Sequence, residues 1–139
     1  MTGARSDTVV IERDLAHPPE KIWRALTQPH LIAEWLLKND FAPVAGHRFS
    51  LHVEPQPHWD GVITCEVRVV EPHRRLSYSW AALGLDSVVT WTLTPIPAGT
   101  RLRMEQVGFR PDQKQAHAGA QYGWQKYLAA LERLLAKEE

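Results

Sequence analysis

Between His47 and Leu102 the hydrophobic period of the chain is two, and successive segments are apolar on one side only. Phe49, Leu51 and Val53 alternate with Arg48, Ser50, His52 and Glu54, and Ile63, Cys65, Val67 and Val69 with Thr64, Glu66 and Arg68. Leu76, Tyr78 and Trp80 follow, then Val89, Trp91 and Leu93 against Thr90, Thr92 and Thr94, and last Leu102 and Met104 with Arg101, Arg103 and Glu105 outward. A strand patterned this way buries one face and wets the other. Pro55-Gln56-Pro57, Glu71-Pro72-His73, Leu83-Gly84-Leu85 and Pro95-Ile96-Pro97-Ala98-Gly99 separate the segments. Connections this short predict an antiparallel meander, because parallel neighbours need a crossover of a dozen residues or more.

The flanks are helical, apart from an opening strand over Thr8–Leu15. After His17-Pro18 a helix opens with Pro19 in its first turn, Glu20 at the positive end of its dipole, and Ile22, Trp23, Ala25 and Leu26 at helical spacing. Pro29 ends it and opens a second short helix buried through Leu31, Ile32, Trp35 and Leu36. After Pro111, with Asp112 as its expected cap, one long helix runs to the end of the chain. Ala116, Ala120, Trp124, Tyr127 or Leu128, Leu131 and Leu134 or Leu135 mark its apolar face. Ala116, Ala118, Gly119, Ala120 and Gly123 crowd its first half at a cost in helix propensity, which suggests a close approach there. A sheet with one apolar face and a helix with one apolar stripe bury both only by lying together. The expected fold is therefore α+β, one domain over residues 1–139, with a curved sheet of about six strands gripping the last helix. The opening strand joins at an edge or beside the last strand.

Sixteen basic and sixteen acidic residues give zero net charge, so no long-range field gathers polyanions, and nucleic acid is not an expected partner. Met1 to Asp7 is short and polar rather than a secretory leader, and no stretch is long and apolar enough to span a bilayer, which predicts a cytoplasmic protein. Cys65 is the only cysteine, which excludes an intramolecular disulfide and a Cys-rich zinc site. His47 and His52, five apart on one strand, point to opposite faces and cannot share an ion, so neither metal nor cofactor is expected.

Three stretches carry a resemblance: Ile32-Ala33-Glu34-Trp35-Leu36, the run from Asn39 to Phe49, and Gly123-Trp124-Gln125-Lys126-Tyr127-Leu128. With the opening from Pro18 to Thr27 they resemble the SRPBCC superfamily of START-related helix-grip proteins. Within it they are most similar to the branch named after activators of a heat-shock ATPase. The resemblance implies a cavity between sheet and C-terminal helix for an apolar small molecule such as a lipid, polyketide or flavonoid. It does not imply one activity, since carriers, cyclases, sequestering proteins and chaperone partners all share the fold, and it brings no catalytic motif.

The residues themselves add candidates for such a cavity. Phe49, Leu51, Cys65, Tyr78, Trp80, Trp91 and Met104 share inward parity, Trp124 faces them from the helix, and Ala120 leaves room. Trp35, Phe41 and Trp59 are placed at the mouth. Polar groups expected inside are Gln106, on the parity of Leu102 and Met104, and His117 and Gln121 near the inner face of the helix. A few convergent polar groups in an apolar cleft is the usual composition of a ligand pocket, although large aromatics also fill ordinary cores. The favoured reading is a binder of an apolar or aromatic small molecule. A cyclase or hydrolase acting through Asp60, Tyr78 or His117 is the first alternative. A chaperone-binding module is the second, which neutral charge and the lack of a second domain do not support.

Overall fold

A computed structural model of the chain describes residues 7–137; the polar N-terminal stretch, Asp7 apart, lies outside them. The elements are β1 (Thr8–Leu15), α1 (Pro19–Thr27), α2 (Pro29–Trp35), β2 (Lys38–Asn39), β3 (Arg48–His52), β4 (Val62–Glu71), β5 (Arg75–Ala82), β6 (Leu85–Ile96), β7 (Gly99–Val107) and α3 (Lys114–Lys137). The strands form one antiparallel sheet in the order β1-β7-β6-β5-β4-β3-β2, curled into a half-barrel, with α3 packed on α1, α2 and β1. Among the described residues the sheet has seven strands rather than about six, because β2 pairs two residues with the edge of β3. The opening strand both lies at an edge and pairs with the last.

The predicted parity is realised in the register. Val9 and Val89 stand opposite Gln106, and Ile11 and Trp91 opposite Met104, all on the inner face. On the outer face Arg101 meets Asp14 through Nε–Oδ1 at 2.8 Å and Nη2–Oδ2 at 3.1 Å, which holds the Asp14 carboxyl below the usual carboxylate range. Arg103 reaches Glu12 at 3.6 Å and Glu105 at 3.9 Å. These pairs are exposed and contribute little to stability. The pairs to Asp14 and Glu12 cross from β7 to β1 and match the register of the two strands.

The two short helices close one end of the core. Pro19 opens α1 and Gln28 ends it while starting α2. The Trp35 indole then ties the pair together by donating to the Ala25 carbonyl at 2.8 Å. Beneath them Trp91, Leu102, Met104, Leu128, Leu131 and Leu135 are buried between the sheet and the second half of α3. Asp112, expected as the cap of α3, instead pairs with Arg110 at 3.2 Å, and the helix starts two residues later at Lys114.

Candidate functional site

Burial along α3 is uneven. Its second half presents Leu128, Leu131, Leu134 and Leu135 to the core, whereas Ala116 and Gly119 are exposed and Ala120 half-buried. The close approach expected at the small residues is not there: a Cβ built on Gly119 or Gly123 meets nothing within 4 Å. The half-turn of missing side chains leaves open space between the start of α3 and the ends of β4, β5 and β6.

That space is a cleft of about 600 Å³. Trp59, Trp80, Trp124 and Tyr127 form its aromatic walls, Ile63, Ala82, Leu83 and Leu85 its aliphatic side, and Ala116, Gly119, Ala120 and Gly123 the helical side. Gln56 and Gln106 complete it, so among the described residues no lining side chain carries a formal charge. The loop between β3 and β4 folds Gln56 back onto Trp59 by paired backbone hydrogen bonds of 2.7 and 3.1 Å. Trp59 Nε1 then donates to the Val62 carbonyl at 3.3 Å, which orients that indole at the rim.

The floor is held by a chain of polar groups. Trp124 Nε1 donates to Gln106 Oε1 at 2.8 Å, Gln106 Nε2 donates to Ser87 Oγ at 3.0 Å, and the Ser87 hydroxyl donates to the Trp80 carbonyl at 2.8 Å. One buried amide, 1% exposed, thus fixes the helix indole against β7, β6 and β5. The Trp80 and Trp124 rings lie 5.2 Å apart, Trp124 and Trp91 5.6 Å, and Trp91 and Trp35 5.7 Å, so a file of indoles runs from the cleft into the core.

Of the residues proposed from sequence, Trp59, Trp80, Gln106, Ala120 and Trp124 line this cleft. Phe49, Leu51, Cys65, Tyr78, Trp91 and Met104 have the expected inward parity but are packed in the core. Trp35 and Phe41, expected at the mouth, are also buried there, Trp35 under Trp91 and Phe41 against Phe49 at 5.0 Å. His117 and Gln121 lie on the other flank of α3. The His117 ring is 2.8 Å from the Thr8 carbonyl and packs on Phe109, and Gln121 is exposed beside a groove between α3 and β1. At about 100° per residue, Ala116, Ala120, Gly123 and Tyr127 fall to one side of Trp124 and His117 and Gln121 to the other. Gln56, Ile63, Ala82, Leu83 and Leu85 were not foreseen. Their signal is position alone, at the hairpin ends next to Trp59 and Trp80.

The groups considered for acid–base chemistry do not line the cleft. The Asp60 carboxylate accepts from the Val62 N–H at 3.1 Å, a turn contact. The Tyr78 hydroxyl is fully buried and accepts from Trp91 Nε1 at 3.0 Å, and burial raises its pKa far above the ordinary value. Burial likewise pushes the Cys65 thiol up to about 12, the opposite of what a nucleophilic cysteine needs. Among the described residues, no three His, Cys, Asp or Glu side chains come together as metal ligands. No helix there is long and apolar enough to cross a membrane.

A second depression of about 700 Å³ lies by the first turn of α1 and the turn between β4 and β5. It is lined by Glu20, Glu71, Arg74 and Arg75, of which Arg75 and Glu71 pair at 3.6 Å. Pro19, Leu93 and Pro95 give it apolar surface as well, but its charges are of both signs and exposed, which suits it less to an uncharged ligand than the cleft against α3.

The profile of the family described as activator of Hsp90 ATPase homolog 1-like protein, within the SRPBCC superfamily, matches residues 16–136. Among solved structures, protein MLL2253 from Mesorhizobium loti is 56% identical, with 95% of this chain and 98% of that one covered at a TM-score of 0.89. DynU16, from the dynemicin biosynthetic locus, is 25% identical with a TM-score of 0.83; 94% of this chain is covered but 48% of DynU16, so this chain spans about half of its length. CalU16 from Micromonospora echinospora is 25% identical, with 94% of this chain and 76% of that one covered at a TM-score of 0.79. No curated protein matches.

Proposed function

We propose that this chain, which belongs to the activator of Hsp90 ATPase homolog 1-like family, is a cytoplasmic binder of uncharged, largely apolar small molecules. The observation that carries the reading is a roomy cleft with three indoles, a phenol ring and, among the described residues, no charged side chain in its lining. An ionised ligand would lose its hydration there without gaining a counter-charge. A flat aromatic or acyl ligand instead trades water for indole faces and for the open side of α3. The Gln106 amide spends one N–H and one carbonyl lone pair on Ser87 and Trp124. Its second N–H and second lone pair would serve a hydroxyl or carbonyl on the ligand. The biosynthetic locus that holds DynU16 agrees with a ligand of this kind.

N-phenyl-1-naphthylamine, a neutral aromatic probe that brightens in apolar surroundings, tests the reading. It is expected to bind with micromolar Kd and to raise the melting temperature with concentration as mass action requires. Ala120 is half-buried on the cleft side of α3. Ala120→Phe is therefore expected to abolish probe binding while moving the urea midpoint little, because the ring enters open space instead of a packed core. Loss of the fold in that variant, or unchanged binding, would remove the support for a ligand site.

The helical glycines report on the same space. Gly119→Ala and Gly123→Ala each exchange a poor helix former for the best one where a Cβ meets nothing within 4 Å. Each is expected to stabilise the protein by about 0.8–1 kcal/mol in urea titration. A destabilising effect would mean that the space is already filled.

A further inference from the structure

The hairpin between β5 and β6 turns on two residues, Leu83 and Gly84, both at positive φ, 52° and 83°. A glycine adopts that backbone freely, but a leucine does so at a cost, and the turn positions of such hairpins ordinarily carry Asn, Asp or Gly. Among the described residues, the strained leucine is also the one large aliphatic side chain of the cleft lining that is not packed on the core: Leu83 is 62% exposed, while Ile63 is buried and Leu85 packs against the cluster. The turn is held from outside as well. The Gly84 carbonyl accepts from both Arg110 Nη1 and Gln113 Nε2 at 3.1 Å, which latches the hairpin tip to the segment leading into α3. Strain persists where the surroundings over-determine it, and such residues concentrate at ligand clamps.

We propose that Leu83 is the closing contact of the cleft, a specificity-determining residue held at its mouth at the expense of turn stability so that its side chain covers the apolar outer end of the bound molecule. The assignment rests on the cleft being a ligand site. It selects for ligands whose outward end is hydrocarbon, since a polar or charged end would desolvate against leucine without a partner. The two donors on Gly84 set where that contact stands.

Opposite signs in stability and affinity test it. Leu83→Asn installs the preferred turn residue and removes the apolar side chain, whereas Leu83→Met keeps an apolar side chain of similar size. Melting temperature and N-phenyl-1-naphthylamine affinity are measured on both variants and the parent. Leu83→Asn is expected to melt a few degrees higher than the parent and to bind the probe roughly five- to thirty-fold more weakly, with Leu83→Met within about twofold of the parent. Binding to Leu83→Asn as tight as to the parent, or a melting temperature that falls, overturns the assignment while leaving the cleft as a site. A parent protein that does not bind the probe overturns the cleft reading, and the role of Leu83 with it.

Discussion

Trp124→Ala is expected to lower the unfolding free energy by about 3–5 kcal/mol, the usual consequence of deleting a buried tryptophan. Trp124 is 3% exposed and touches Trp80, Trp91 and Tyr127, at ring separations of 5.2, 5.6 and 5.7 Å. It is where α3 meets the inner face of the sheet, so its loss opens the core at the base of the cleft. Urea titration against Lys126→Ala, an exposed position on the same helix expected within about 0.5 kcal/mol of the parent, isolates the effect. An unchanged midpoint for Trp124→Ala would contradict the packing described for α3.

The next largest effect is expected at Gln106. Gln106→Leu keeps the volume but leaves the buried Trp124 N–H without its acceptor, a loss of about 1–3 kcal/mol. Ser87 loses a donor too, though its own bond to the Trp80 carbonyl survives. Trp124→Phe alone strands the other partner, the Gln106 carbonyl. The double variant Gln106→Leu with Trp124→Phe strands neither, and replacing both members of a buried pair by apolar groups is often close to neutral. It is therefore expected to lose less than the two single changes together, and a double-mutant cycle reads the difference. Strict additivity would mean that the Trp124–Gln106 bond adds nothing.

How far the sequence reaches is visible in these two residues. The alternation of Leu102, Met104 and Gln106 against Arg101, Arg103 and Glu105 puts Gln106 inside, and helical spacing puts Trp124 opposite it. The same rules make the meander, the final helix and the opening Thr8–Leu15 strand legible, because a chain with one apolar face per strand has few ways to bury it. Parity names a face but not a depth along it. Tyr78 and Trp80 share a strand and a face, yet Tyr78 is in the core and Trp80 lines the cleft, because Phe41, Phe49 and Trp91 pack around one and the small residues in the first half of α3 leave the other open. His117 and Gln121 were misplaced for a related reason: a helical wheel orders the two flanks of Trp124 but does not say which one the sheet leaves uncovered. The two-residue strand at Lys38–Asn39 is too short for any period to show. The turn at Leu83-Gly84 is legible as a break between strands, but nothing in a Leu-Gly pair announces a leucine with positive φ.

The file of indoles also makes the protein an optical device. Trp80, Trp124, Trp91 and Trp35 are within 5.2–5.7 Å of their neighbours, close enough for excitation absorbed by one ring to hop along the row before it is emitted. Light taken up by Trp35 in the core is then shared with Trp80 beside the cleft. A quencher bound in the cleft lies against Trp59, Trp80 and Trp124 and, through the row, also drains Trp91 and Trp35, so the fraction of emission lost on saturation should exceed the half that the three cleft indoles hold among six. The row also shortens memory of polarisation, and emission anisotropy should rise when Trp80→Phe removes the terminal ring. Occupancy of the cleft is in this way readable from the native protein without a label.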